Sequence, residues 1–173
     1  IPTGSGTYSL KGIEYTTILA DVLKTTRNHS INILGVFSTM YKKGLSSQYT
    51  DEKILLDFPQ IDKFLTDIPN TVQVENTTIE GNIISITNKR IGACYKLIAK
   101  EMIWKIKNFD KVLEERSKRD MIISRINEIK DMLDEMYDGE FDNELHNKLI
   151  SEETELMENI KKLENKRREE VGI

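Results

Sequence analysis

Residues 31–39 read Ile-Asn-Ile-Leu-Gly-Val-Phe-Ser-Thr, and this run restricts the fold more than any other stretch of the chain. It is short, rich in β-branched and aromatic residues, and apolar at nearly every position. That is the pattern of a strand covered on both faces. Such a strand needs helices on each side of its sheet, so the surrounding chain should alternate helix and strand. The flanks agree. Leu10, Ile13, Ile18, Val22 and Leu23 recur at an imperfect helical period over residues 10–24, with Thr7 or Ser9 placed to cap the first turn. Residues 41–47 read as a basic, Gly-containing loop, residues 48–57 as a helix, and residues 64–68 as a further strand ending at Pro69. Residues 71–82 lack periodicity and close on Gly81, and residues 83–86 are a short apolar piece. Residues 92–107 form a helix with Ile91, Tyr95, Ile98, Met102 and Ile106 on one face and lysines on the other. Strands separated by helices predict βα units and a parallel sheet.

The composition changes after residue 108. Ile122, Ile126, Ile129, Leu133 and Met136 recur at steps of four and three, which is a heptad seam. Asp138-Gly139 breaks this helix, with Gly139 as its ending residue, and Asp142 can cap a second helix. In that helix Leu145, Leu149, Leu156, Ile160 and Leu163 repeat the spacing. The fold class expected is therefore α/β: a partial parallel-sheet half-domain over residues 1–108, then an antiparallel α-helical coiled-coil hairpin over 109–173. The hairpin is expected to pack on itself or on a partner, and Trp104, just before it, is read as a core anchor.

Composition excludes several classes. A single cysteine, Cys94, rules out an internal disulfide framework and a multi-cysteine zinc site. His29 and His146 lie far apart with no ligand spacing around either, which reads as two surface or loop histidines. No apolar run approaches the roughly 18 residues of a membrane span, and no signal-peptide pattern is present, so a cytoplasmic location without membrane partners is expected. The net charge of −4 hides an asymmetry. Residues 82–108 carry Lys89, Arg90, Lys96, Lys100, Lys105 and Lys107 against Glu101 alone, so a local anion-binding face is compatible with overall acidity. Ile1-Pro2-Thr3 opens on an apolar residue followed by proline, which is expected to continue a strand that begins upstream.

Four motifs in order carry a resemblance. Ile1-Pro2-Thr3 with Tyr8-Ser9-Leu10-Lys11-Gly12-Ile13 resembles "IP(T/V)…YSLxGI". Gly35-Val36-Phe37-Ser38-Thr39-Met40-Tyr41 resembles "GVLLTMY". Ile68-Pro69-Asn70-Thr71-Val72 through Gly81 resembles "IPRNVxLxEAxxxG". Lys89, Gly92-Ala93, Tyr95, Leu97, Ala99, Lys100 and Glu101 resemble "PKSxGAxxYxxLAKE". Together they make the first 108 residues similar to the C-terminal half of a ParA-type partition ATPase, a deviant Walker (P-loop-type) nucleotide-binding fold.

The resemblance implies that Thr39 and Met40 sit at a strand end beside an adenine, and that Pro69, Asn70 and Thr71 form the loop contacting the base. It implies that Lys89, Arg90, Lys96 and Lys100 belong to a face that binds DNA without sequence preference. For the complete protein it implies ATP and Mg2+ as cofactors, a homodimer, a ParB-like centromere-binding partner and association with the nucleoid. Asn70 stands where the family has arginine and Asn76 where it has glutamate. No Gly-rich phosphate loop ending in Lys-Ser/Thr occurs in the sequence, so no cofactor and no ATP hydrolysis are expected of this chain alone. The Tyr137-Asp138-Gly139-Glu140 turn resembles the hairpin of large serine recombinases, a short and unspecific match.

Overall fold

Val36 and Phe37 face opposite sides of a small parallel sheet, and the first half of the chain is arranged about that divide. The computed structural model describes residues 1–4, 6–27, 31–71, 88–138 and 142–173. β1 (Pro2–Thr3) pairs in parallel with β2 (Phe37–Ser38), Pro2 opposite Phe37 and Thr3 opposite Ser38. The chain crosses between them as α1 (Thr7–Arg27) and leaves β2 through α2 (Leu45–Asp57). It then returns as residues 63–69, which join the other side of β2 through parallel bridges from Val36 to Lys63 and from Tyr41 to Pro69. Further on come α3 (Lys89–Lys107), α4 (Phe109–Asp138) and α5 (Asn143–Val171). The architecture is α/β and mostly helical. It divides into two compact units, Ile1–Phe109 and Asp110–Ile173.

Successive strand residues point to opposite faces, and the first unit's core obeys this. Val36 packs with Ile13 of α1, Ile54 of α2 and Ile61. Its neighbour Phe37 packs instead against a cluster of Phe64, Ile68, Ile91 and Ile98, the last two from α3. Helices therefore cover both faces, as the apolar run of residues 31–39 requires. The strand itself is shorter than expected. Only Phe37–Ser38 is strand, because Gly35 takes φ 151°, outside the range of an ordinary β residue, and turns the chain just before it. A Cβ there would meet the Asp62 carbonyl oxygen at 2.4 Å.

The expected strand at residues 64–68 is also corrected. Its ends are paired: the amides of Phe64, Ile68 and Asn70 donate to the carbonyls of Val36, Ser38 and Tyr41. Its middle bows away from β2, and carboxylates take the place of main-chain acceptors. Asp67 Oδ1 accepts from the Ser38 amide at 3.3 Å, and Glu101 Oε2 accepts from the Leu65 amide at 2.9 Å. This is the arrangement of a bulged segment.

Helix ends follow local chemistry. Asn88 caps α3 by accepting from the Ile91 amide, so the helix begins at Lys89, three residues ahead of the expected Gly92. α2 begins at Leu45, ahead of the expected residue 48, and α1 spans Thr7–Arg27 around the expected residues 10–24. The expected loop over 71–82 and the apolar piece at 83–86 lie outside the described residues except for Thr71, as do His29, Asn76, Gly81 and Gly139.

In the second unit, Asp142 Oδ1 accepts from the amides of Glu144 and Leu145, and Gly172 closes α5 in the left-handed conformation. Ile129 and Leu133 of α4 pack on Leu149 of α5, with Met136 and Leu156 beside them. Ion pairs between Lys111 and Glu170, Glu115 and Arg167, and Arg125 and Glu152 run in opposite sequence directions, so α4 and α5 are antiparallel. In α4 the seam departs from the one expected at one position: Ile123, not Ile122, is buried with Ile126 and Ile129. Leu145 is 37% exposed, although it was expected in the seam.

Candidate functional site

The carboxyl ends of the parallel strands open onto a crevice of about 540 Å³. This is where open α/β sheets place ligands. Gly4 from the end of β1, Met40 just past β2, the Lys42-Lys43-Gly44 loop and the first turn of α2 line it. The first turn of α2 carries no side-chain cap, since Gly44 stands at its N-cap in extended conformation. Its amides therefore add their dipole to the charge of the two exposed lysines, and the crevice favours an anion. The loop is fixed from below, where the buried Ser47 hydroxyl donates to the Lys42 carbonyl at 2.7 Å. Thr50 does the same for the start of α1, accepting from the Gly6 amide at 2.8 Å.

Met40 is the conformational exception here. It is a non-glycine residue at φ 53°, and its side chain is 73% exposed at the crevice mouth. A left-handed backbone at a large side chain costs on the order of 1–2 kcal/mol, and such strain gathers at ligand sites. Thr39 is turned to structural use. Its amide and its hydroxyl both donate to the Thr3 carbonyl, at 2.6 and 3.1 Å, which ties β2 to β1. Pro69 and Asn70 lie beside Tyr41, because Tyr41 donates to the Ile68 carbonyl and accepts from the Asn70 amide, both at 2.9 Å. The two segments singled out in the sequence, 39–40 and 69–71, are thus adjacent at the strand ends. Of those five residues only Met40 lines the crevice itself. Lys42, Lys43 and the first turn of α2 are the lining residues that the sequence reading passed over. Their signal was present as a basic, Gly-containing loop between a strand and a helix.

Below this edge, Lys63 Nζ bridges Asp51 of α2 and Asp67, each at 3.0 Å, with the Tyr41 ring centroid 5.6 Å away. Burial works against the Lys63 charge, but Asp67 and Asp51 together outweigh it and hold its pKa above the usual lysine value. Burial raises the Asp51 carboxyl despite the same lysine.

Lys89, Arg90, Lys96 and Lys100 are all exposed on α3. Helical spacing puts Lys89, Lys96 and Lys100 in one strip, with exposed Lys107 continuing it and Arg90 to one side. The opposite face carries the buried Ile91, Ile98, Glu101 and Lys105. Two expectations are corrected by this. Tyr95, Met102 and Ile106, assigned to the inner face, are exposed. Lys105, counted with the basic surface, is fully buried and lies 3.3 Å from Glu101, 3.7 Å from Asp62 and 4.1 Å from the Phe64 ring centroid. With Glu101 and Lys105 both withdrawn, the outer strip of α3 carries positive charge only.

The crevice lining offers apolar surface from Met40 and Leu45 and positive charge, which suits a base joined to an anionic group. It contains no carboxylate, so the residues present do not fit Mg2+, and no metal-holding cluster occurs among the described residues. No helix among the described residues is long and apolar enough to cross a membrane. No family model, curated protein or solved structure was found to match the chain.

Proposed function

We propose that this chain contributes the base-binding edge and a non-specific DNA-binding face to a ParA-like partition ATPase. One observation carries the reading. The parallel bridge between Tyr41 and Pro69 brings the two separately resembling motifs, 39–40 and 69–71, to the same end of one sheet. The crevice beside them favours an anionic ligand, and the outward strip of α3 carries the lysines that phosphate contact needs. In the complete protein, ATP with Mg2+ would drive homodimerisation, DNA binding would follow, and a ParB-like partner would stimulate hydrolysis at the nucleoid. The phosphate chemistry is assigned to residues that this sequence does not contain, since it has no phosphate loop.

The test is binding of a random-sequence DNA duplex as salt is raised, beside calorimetry with ATP and Mg2+. Replacing Lys96 and Lys100 by glutamate should weaken DNA binding at least about tenfold and flatten the salt dependence by about 0.9 per lost phosphate contact. Unchanged binding with an unchanged slope would overturn the DNA face. A second reading is a non-catalytic oligomerisation or partner-binding module. The separate compact unit Asp110–Ile173 favours it, together with the missing phosphate loop. It predicts a solution mass that depends on the hairpin, whereas neither reading expects ATP to bind this chain alone.

A further inference from the structure

α1 is amphipathic twice over. Its inner face buries Ile13 and Ala20, while its outer face holds Tyr8, Tyr15, Ile18, Leu19 and Val22 at 91, 68, 53, 57 and 46% exposure. Scattered exposed apolar residues need no explanation, but a continuous stripe of large ones marks a contact surface. Here the spacing is regular. Tyr8, Tyr15 and Val22 are seven apart, with Lys11 and Ile18 between them at the second heptad position. That is the seam of a helix prepared for another helix.

The charges beside the seam decide which helix. One flank holds Glu14 and Asp21, and the other holds Gly12, Leu19 and Thr26. Two copies of α1 packed antiparallel would set the acidic flanks against each other, and packed parallel they would face uncharged residues. Neither arrangement supplies a cation. The acidic flank also borders a cleft of about 480 Å³ in which Glu14 and Asp57 stand beside Ile18 and Phe58. Asp21 and Asp57 reach Lys24 and Lys53 at 3.6 Å, but these are exposed pairs of little net value that a better-placed cation can replace. Lys11, at the start of the seam, is the one basic group on the strip.

We propose that the outer face of α1 is the docking strip for a basic amphipathic helix of another protein, which lays apolar side chains along the Tyr8–Val22 seam and lysine or arginine against Glu14 and Asp57. The inference is independent of the nucleotide and DNA reading, and its test needs neither ligand.

The probe is a labelled synthetic helix with leucine at the two seam positions and lysine on both flanks, titrated with the full chain by fluorescence anisotropy. Its twin carries glutamate on the flanks. The lysine helix should bind at least about tenfold more tightly than the glutamate helix, with the difference shrinking as salt rises. Leu19→Ser and Glu14→Lys should each weaken it several-fold. Both side chains lie on the outer side of α1, so circular dichroism should be unchanged; if Leu19→Ser fails to fold, Glu14→Lys carries the test alone. Equal binding of the two helices, or full binding to Glu14→Lys, overturns the proposal. So does a dimer of the wild-type chain that Leu19→Ser dissociates, because the strip would then belong to a second copy.

Discussion

Lys105→Met is the most informative single change in the first unit. It keeps the length and apolar stem of the side chain and removes only the ammonium. What remains is two fully buried carboxylates, Glu101 and Asp62, which the ammonium had held at 3.3 and 3.7 Å. Glu101 still accepts the Leu65 amide, but the Leu34 carbonyl loses the donor it had at 3.3 Å. Removing one partner from a buried ion pair costs about 3–5 kcal/mol, because the other charge is left in low dielectric. For a domain near 100 residues, each kcal/mol moves Tm by roughly 4–8 °C. A loss of about 4 kcal/mol therefore lowers Tm by roughly 16–32 °C, a large share of the about 5–15 kcal/mol that holds a domain together. The assay is thermal unfolding followed by tryptophan fluorescence. Trp104 is the only tryptophan and lies in the first unit, so it reports on that unit. Lys105→Met combined with Glu101→Met should recover part of the loss, by about 1–3 kcal/mol of coupling. Recovery stays incomplete because the buried Asp62 carboxylate still lacks the Lys105 ammonium and the Leu65 amide loses the Glu101 oxygen. A fall of less than about 4 °C for the single variant would refute the reasoning, since the carboxylates would then not be uncompensated charges.

Gly35→Ala should cost roughly 2–5 kcal/mol in denaturant unfolding, combining backbone strain at φ 151° with a Cβ set 2.4 Å from the Asp62 carbonyl oxygen; an unaltered midpoint would show that the turn relaxes. The raised pKa of Lys63 makes its contribution complete below the usual lysine value of 10.5 and lost as pH climbs through the higher folded value. Lys63→Met should therefore remove a step from the alkaline limb of the stability profile, and an identical limb in both proteins would count against the bridge. In the hairpin, Arg167 donates from Nε and Nη2 to Glu115 Oε2 at 2.9 and 2.6 Å, and both side chains are buried. Arg167→Leu alone should destabilise by about 3–5 kcal/mol, whereas adding Glu115→Leu should return stability to the wild-type level or above. Calorimetry that ranks the double variant below the single one would contradict this.

Much of the architecture was legible because it rests on periodicity. The run around Val36 and Phe37 announced a strand covered on both faces, and the four-and-three spacing announced α4 and α5, with Asp142 as the cap between them. What could not be read was where neighbours take over from propensity. Ile31 and Ile33 have the composition of a strand, yet the turn at Gly35 and the Asp62 backbone packed against it end the pairing at Val36. Lys105 looked like one more surface lysine, since sequence spacing alone cannot tell that a cation four residues after Glu101 on the apolar side is drawn inward. The strand-end segments around Thr39 and Pro69 could be named from their motifs. The hydroxyl of Thr39 is committed to the Thr3 carbonyl, however, which only the folded chain shows, and the lysines of the next loop were legible as basic but not as the lining of a crevice.

The bow in residues 63–69 has a consequence for what the sheet can accept from outside. Along a strand, alternate amides face alternate neighbours. The Phe64 amide is taken by Val36, and the next amide, that of Leu65, faces the α3 side chain rather than β2. Glu101 Oε2 already sits on it, delivered by α3 from the fully buried position that Lys105 holds in place. An incoming chain would have to displace a buried carboxylate before forming its first hydrogen bond there. Strand amides left without a partner are templates for pairing with another chain. Here one glutamate, placed from a helix, removes that template at Leu65.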